Sequence, residues 1–360
     1  MAAAASAAKP RRPDGRRPAS EGRADASASA RGRMISLRGL TKTWPGAAQP
    51  AVADLTLEVP ESTSCALIGP SGCGKTTTLR MVNRLVEPSA GEVRVGGRDA
   101  LRMDPVALRR GIGYVIQEGG LFPHRRVGDN VATVPRLLGW APARIAARVE
   151  EVLSLVGLDP ARFRDRWPHQ LSGGERQRVG VARALAGDPP VLLMDEPFGA
   201  VDPVQRGRLQ EEVLRLLRTL RKTVLLVTHD VAEAVRLGDA VAVLRGGRLA
   251  QHAPAAEILA RPADGFVAEF LGADRALTRL ALFAVADAPR RPDGAPGAPL
   301  PASATLRDAL SAMLARGARA VPVEGGGSLA LDDLLAAAGR PGPDLPQTGE
   351  AAGATPPRGA

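Results

Sequence analysis

Gly69-Pro70-Ser71-Gly72-Cys73-Gly74-Lys75-Thr76 fits the pattern G-x-x-x-x-G-K-[ST]. It lies between a short apolar run, Ser64 to Ile68, and a segment in which Leu79, Met81, Val82 and Leu85 recur at helical spacing. Strand, glycine-rich turn and helix in that order let successive backbone N–H groups, and the helix N-terminus, face a polyphosphate. The helix is predicted to begin at Gly74. Lys75 would reach the β and γ phosphates of a nucleotide, and Thr76 would hold Mg²⁺ through its hydroxyl. Thr77 completes the stretch assigned to phosphate. Lysine occurs only at 9, 42, 75 and 222 in an otherwise arginine-rich chain, so Lys75 stands where a lysine is needed.

Further along, Val191-Leu192-Leu193-Met194 is an apolar strand ending in two carboxylates, Asp195 and Glu196. Beside a phosphate loop, this arrangement lets the first acid orient the metal while the second activates a water. In Leu171-Ser172-Gly173-Gly174-Glu175-Arg176-Gln177, a serine and two glycines precede a helix running through Val179, Val181 and Ala182. This is a second helix N-terminus open to an anion. One chain has no obvious use for two such cradles, which suggests that the second serves a partner; the plain alternative is a helix N-cap at Ser172.

With these motifs in place, the chain resembles the nucleotide-binding subunits of ABC transporters over residues 35 to about 280. The family's other marks follow in order: Gln117 in Gly113-Tyr-Val-Ile-Gln, Asp202 in Phe198-Gly-Ala-Val-Asp, and His229 in Val227-Thr-His-Asp. The resemblance implies a P-loop NTPase cassette of the α/β class. Its parts would be a RecA-like α/β core, an antiparallel β subdomain and a helical subdomain inserted at about 122–185. It also implies two cassettes meeting head to tail, each ATP lying between one chain's phosphate loop and the other's Ser172, Gly173 and Gly174. Gln117 would then contact Mg²⁺ and the γ phosphate. His229 would bind the γ phosphate and hold the water and Glu196 in position, and Asp202 would cross to the opposite site. Trp44 stands where an aromatic usually lies under adenine, a core or lid role being the alternative. Glu175 occupies a position where glutamine is commonest.

Composition agrees with a packed protein: 44% hydrophobic and 24% charged residues. No apolar run reaches the roughly 18 to 20 residues of a membrane-spanning helix, so membrane work would need another chain. Residues 1–33 lack the apolar core of a secretory signal and read as a disordered basic extension, with eight basic residues against three acidic ones. That arm supplies half of the +10 net charge, which weakens the charge as a sign of nucleic-acid binding. The two cysteines, Cys65 and Cys73, lie in or beside the phosphate loop and suit a reducing compartment. His124, His169 and His252 show no metal-ligand spacing.

Beyond the cassette (34–280), residues 286–302 are dense in Pro, Gly and Ala and read as a linker. Residues 303–340 resemble a single, short, degenerate CBS module, and 341–360 return to a disordered composition. Gly111-Ile-Gly-Tyr-Val-Ile-Gln-Glu-Gly-Gly-Leu-Phe-Pro-His124, Val131 to Trp140 and Phe266-Val-Ala-Glu-Phe270 resemble the osmoprotectant branch, whose ATPases drive uptake of glycine betaine, carnitine, choline or proline. The resemblance implies work at the cytoplasmic face of the membrane, with permease subunits, a paired ATPase subunit and an extracytoplasmic binding protein. The rivals are an exporter ATPase and a soluble ABC ATPase acting on nucleic acid or ribosomes. One uninterrupted cassette without long coiled-coil insertions argues against the latter.

Overall fold

In a computed structural model, residues 33–117, 120–199, 201–292 and 294–339 are described; the terminal segments expected to be disordered lie almost wholly outside them. Two sheets share the cassette. One is antiparallel, in the order β2-β1-β4-β5, from β1 (Arg33–Lys42), β2 (Val52–Pro60), β4 (Ala90–Val95) and β5 (Arg98–Asp99). The other runs β10-β9-β3-β8-β7-β6, from β3 (Ser64–Ile68), β6 (Ile112–Val115), β7 (Val191–Asp195), β8 (Thr223–Val227), β9 (Ala240–Arg245) and β10 (Arg248–Pro254). Every pairing in it is parallel except β9 with β10.

The pleat of β3 explains the layering, because alternate side chains leave a strand on opposite faces. Cys65 and Leu67 enter a cluster with Leu37, Leu55 and Leu57 of the antiparallel sheet. Ala66 and Ile68 enter another, with Val179, Ala182, Leu209 and Ile258 from helices on the far side. A strand apolar on both faces is what a parallel sheet covered twice requires.

The helices are α1 (Lys75–Val82), α2 (Pro105–Arg110), α3 (Val127–Val131), α4 (Thr133–Leu137), α5 (Pro142–Leu155), α6 (Pro160–Phe163), α7 (Gly173–Leu185), α8 (Pro203–Thr219), α9 (Val231–Leu237), α10 (Ala255–Ala260), α11 (Gly265–Leu271) and α12 (Arg275–Leu280). The insertion between β6 and β7 is helical from Val127 onward, not from 122: residues 120–126 are turn and coil. Asn130, fully buried, holds this loop by accepting from the Phe122 N–H (2.8 Å) and donating to the carbonyls of Phe122, Arg125 and Arg126.

A third cluster, from Leu280 and Val285 to Leu334, gives the C-terminal unit its own core. It comprises α13 (Leu306–Arg316), the hairpin β11 (Ala320–Pro322) and β12 (Ser328–Ala330), and α14 (Leu331–Gly339). The described residues of the run expected as a linker, 286–292 and 294–302, are instead a strap across this unit. Ala286 N–H donates to Ala302, Arg291 and Ser328 exchange backbone hydrogen bonds, and Leu300 pairs with Pro322 and Glu324. Arg291 adds an ion pair with Asp333 at 2.8 Å. Prolines and glycines remove helix and strand signals without removing carbonyl acceptors, so composition misses the strap.

Candidate functional site

The parallel strands β3, β7 and β8 end side by side, and the loops beyond them carry the site. Three glycines shape the first loop. Gly69 has φ +148° and Gly74 +98°, and a Cβ would meet the Leu244 carbonyl oxygen at 2.3 Å and the Ala51 carbonyl oxygen at 2.4 Å, respectively. At Gly72, φ +79°, a Cβ would meet nothing within 4 Å: this glycine faces the open side where phosphate is expected. Gly74 is the left-handed N-cap and α1 begins one residue later than expected, at Lys75.

Lys75 is 8% exposed, and its ammonium donates to the carbonyls of Gly69 (2.7 Å) and Pro70 (3.0 Å). The ammonium is thus held across the loop, with Ser71 and Gly72 between its anchors and the helix. Cys73 is 4% exposed, its sulfur 3.8 Å from the same ammonium. Burial pushes the Cys73 thiol up, the nearby Lys75 offsetting part of that. Such a thiol is a packing group and a poor nucleophile.

The Thr76 hydroxyl donates to Asp195 Oδ1 at 3.1 Å, joining the start of α1 to the end of β7. Tyr114, from β6, reaches Asp195 Oδ2 at 3.4 Å. A hydroxyl and a carboxylate side by side form a hard oxygen donor set that fits Mg²⁺. The next residue, Glu196, adopts φ 45°, a left-handed conformation that costs a non-glycine residue of order 1–3 kcal/mol and is typical of functional sites. Its N–H donates to the Val227 carbonyl (2.9 Å), which fixes the turn. Gln117 donates from Nε2 to Glu196 Oε2 at 3.2 Å, and His229 Nδ1 lies 3.3 Å from the same oxygen.

The structure therefore brings Lys75, Thr76, Gln117, Asp195, Glu196 and His229 to one edge of the sheet. Ser172, Gly173 and Gly174 are placed otherwise. Ser172 caps α7 by accepting from the Glu175 N–H (3.2 Å) while Glu175 accepts from the Ser172 N–H (2.7 Å). Among the described residues, the hydrogen bonds of Ser172 stay within its own helix. Asp202 precedes α8, and its carbonyl accepts from the Arg206 N–H at 2.8 Å. Trp44 is 44% exposed with the Lys42 ammonium 4.7 Å from its ring. Its loop closes through Ala51 N–H to Lys42 (2.8 Å), the same Ala51 whose carbonyl abuts Gly74.

Several supporting residues carry no sequence motif that singled them out. Arg183 of α7 donates to the Gly120 carbonyl at 2.7 Å and so ties the Ser172 helix to the loop after Gln117. Thr228, 1% exposed, accepts from the Asp230 N–H (3.1 Å) and donates to Glu233 (3.0 Å), bonding the residues on both sides of His229. An Asp-x-x-Glu pair opening a helix, Asp230 and Glu233, was the available signal. Of the other histidines, His124 sits against Phe122 and His252 lies 3.9 Å from the Cys65 sulfur. Among the described residues, no group of His, Cys, Asp or Glu forms a metal cluster.

The family model for ABC transporters matches residues 52–199. The osmoprotectant import ATP-binding protein OsmV of Salmonella typhimurium is 52% identical over 257 residues, 71% of this chain and 67% of that protein. The glycine betaine uptake system ATP-binding protein YehX of Escherichia coli is 50% identical over 308 residues, 84% of this chain and 99% of that one. Among solved structures, the ATP-binding cassette MJ0796, a dimer in a post-hydrolysis state with ADP and phosphate, superposes with a TM-score of 0.56. It is 31% identical and covers 62% of this chain and 99% of its own. The shared cassette fold, the glycine-rich loop and carboxylate pair at the ends of β3 and β7, and these relatives lead to one conclusion: the chain belongs to the ATP-binding, ATP-hydrolysing subunits of the ABC transporter family.

Proposed function

We propose that this chain energises a membrane importer of osmoprotectant quaternary amines such as glycine betaine, carnitine or choline. The observation that carries the catalytic part is the convergence of Gln117 and His229 on one oxygen of Glu196, next to the Thr76 and Asp195 pair. Lys75 would bind the β and γ phosphates, with the backbone of Gly69 to Gly74 around them and Thr77 in the first turn behind. Thr76, Asp195 and Gln117 would hold Mg²⁺, which when bound neutralises charge on the phosphate oxygens. Glu196 accepts the proton of the attacking water, and His229 keeps that water and the γ phosphate in line. Trp44 would stack on adenine.

Ser172, Gly173, Gly174 and Asp202 serve a second cassette in this reading, a head-to-tail homodimer or a paired ATPase subunit. A relative solved as a dimer supports it, while the Ser172–Glu175 capping box is the plain helix N-cap that stands as the alternative. No helix among the described residues is long and apolar enough to cross a membrane. In this reading, which the import and uptake relatives support, the cassette pair acts at the cytoplasmic face through permease subunits, with an extracytoplasmic binding protein delivering cargo.

Two of the relatives supply the cargo class, their names being osmoprotectant import and glycine betaine uptake. The test is uptake of labelled glycine betaine, carnitine, choline and proline by cells with and without this chain, and with Glu196→Gln. Uptake of at least one should need the intact chain. Unchanged uptake of all four would overturn the cargo assignment, whereas loss of export of a toxic solute would favour the exporter.

A further inference from the structure

His229 is held from both flanks by residues that bond to each other across it. Thr228 N–H donates to the Leu67 carbonyl (3.2 Å), anchoring the turn to the strand that leads into the phosphate loop. The Thr228 hydroxyl then accepts from Asp230 N–H and donates to Glu233 Oε2. Glu233 is 6% exposed, and its other oxygen, Oε1, is buried without a hydrogen-bond partner among the described residues. The Nε of Arg206 is in the same condition. Arg206 belongs to the first turns of α8. It accounts for the end of the Asp202 loop twice, through its N–H to Asp202 and its guanidinium to the Val201 carbonyl (3.1 Å).

We propose that ionised Glu233 is a positioning residue for hydrolysis, drawing together the His229 turn, through Thr228, and the Asp202 loop, through Arg206. The inference rests on the hydrolytic reading of the site. A carboxylate oxygen buried with no partner is costly, and a motion that joined it to the equally unpartnered Arg206 Nε, whose charge already acts on Glu233, would relieve both groups. That motion would move Asp202, the residue offered to the neighbouring cassette, in concert with His229, the residue offered to the γ phosphate.

The groups acting on Glu233 from nearby elements are few. Asp230 and His229 lie in its own turn and Arg206 on α8. β3 and β9 behind α9 contribute Ala66, Ile68, Val241 and Val243 to the same apolar cluster, and α10 contributes Ala255, Ile258 and Leu259. Burial, first, and then Asp230 push the Glu233 carboxyl up to about 7, with Thr228, Arg206 and His229 opposing. The ionised form is therefore gained or lost near neutrality.

The test is steady-state ATPase activity of the full chain between pH 6 and 9, with thermal melts as a fold control. Wild type should show an acid limb centred near 7. Glu233→Gln should lower kcat about tenfold or more, the scale expected for misplaced catalytic groups, leave KM for ATP within about twofold, and flatten that limb. Thr228→Val should behave alike and Thr228→Ser should recover. Arg206→Gln should also flatten the limb, with Arg206→Lys restoring part of kcat, which keeps the proposal testable should Glu233→Gln not fold. A Glu233→Gln chain with wild-type kcat, or one that keeps the acid limb, would overturn it. Absence of turnover in wild type would instead count against the hydrolytic reading.

Discussion

His229 Nδ1 lies 3.3 Å from Glu196 Oε2, the oxygen that also accepts the Gln117 amide at 3.2 Å. Residues from two other loops thus meet one oxygen of this carboxylate. Removing its basicity while keeping its shape isolates its role. Glu196→Gln should bind ATP with near wild-type affinity and hydrolyse it about 10²- to 10⁴-fold more slowly, the usual contribution of a positioned general base. Equilibrium dialysis with labelled ATP beside a phosphate-release assay checks both halves.

The glycines of the phosphate loop should divide by what faces them. A Cβ at Gly74 lies 2.4 Å from the Ala51 carbonyl in a left-handed backbone, so Gly74→Ala forces the loop apart and should lower stability as well as ATP binding. At Gly72 the backbone is also left-handed but the space is open, so Gly72→Ala should retain more of the melting temperature and still lose ATP affinity. Calorimetry paired with nucleotide titration separates the two.

Most of this site was legible because its chemistry is local. The phosphate loop, the strand ending in Asp195 and Glu196, and the helix after Ser172 each place their residues within a few positions of a strand end or helix start. Contacts between distant segments were not legible. Arg183 on the Gly120 carbonyl and Tyr114 on Asp195 depend on how three layers pack, which no spacing records. The strap at 286–302 was missed for the opposite reason: its Pro and Gly content describes what it does not form, and the hydrogen bonds of Arg291 and Leu300 are made to residues that follow it in the chain.

Asn130 should be a stability residue. Its side chain satisfies the Phe122 N–H and three carbonyls from a fully buried position, so Asn130→Ala removes the partner of all four part-buried groups and should cost about 1–3 kcal/mol. Thermal denaturation should record the loss. ATP affinity of the purified chain should change little, since Lys75 and its loop are untouched.

Glu233 sets a pH dependence of stability with a definite sign. Its carboxyl is raised from 4.5 to about 7 in the folded chain, so between those values the folded protein holds a proton that the unfolded chain releases. Its contribution to stability is fully present below about pH 4.5 and lost as pH rises through about 7. Against the non-titrating Glu233→Gln, wild type should therefore lose about 3 kcal/mol of relative stability between these limits. Urea denaturation of both proteins across that range checks it; a constant difference would remove the shift.

The central claim is that the chain hydrolyses ATP at a site completed by a second cassette. Lys75→Ala removes the phosphate ligand of a chain and keeps its Ser172 turn. Gly174→Asp does the reverse, placing a carboxylate at a helix N-terminus meant for a neighbour's phosphate. Each variant alone should be inactive, and mixing them should restore hydrolysis, since mixed pairs hold one site with both halves intact. Recovery to about a quarter of wild-type turnover is expected if pairs form at random and each site works independently. Hydrolysis by dilute monomeric wild type at full rate, together with no recovery at any mixing ratio, would contradict the account.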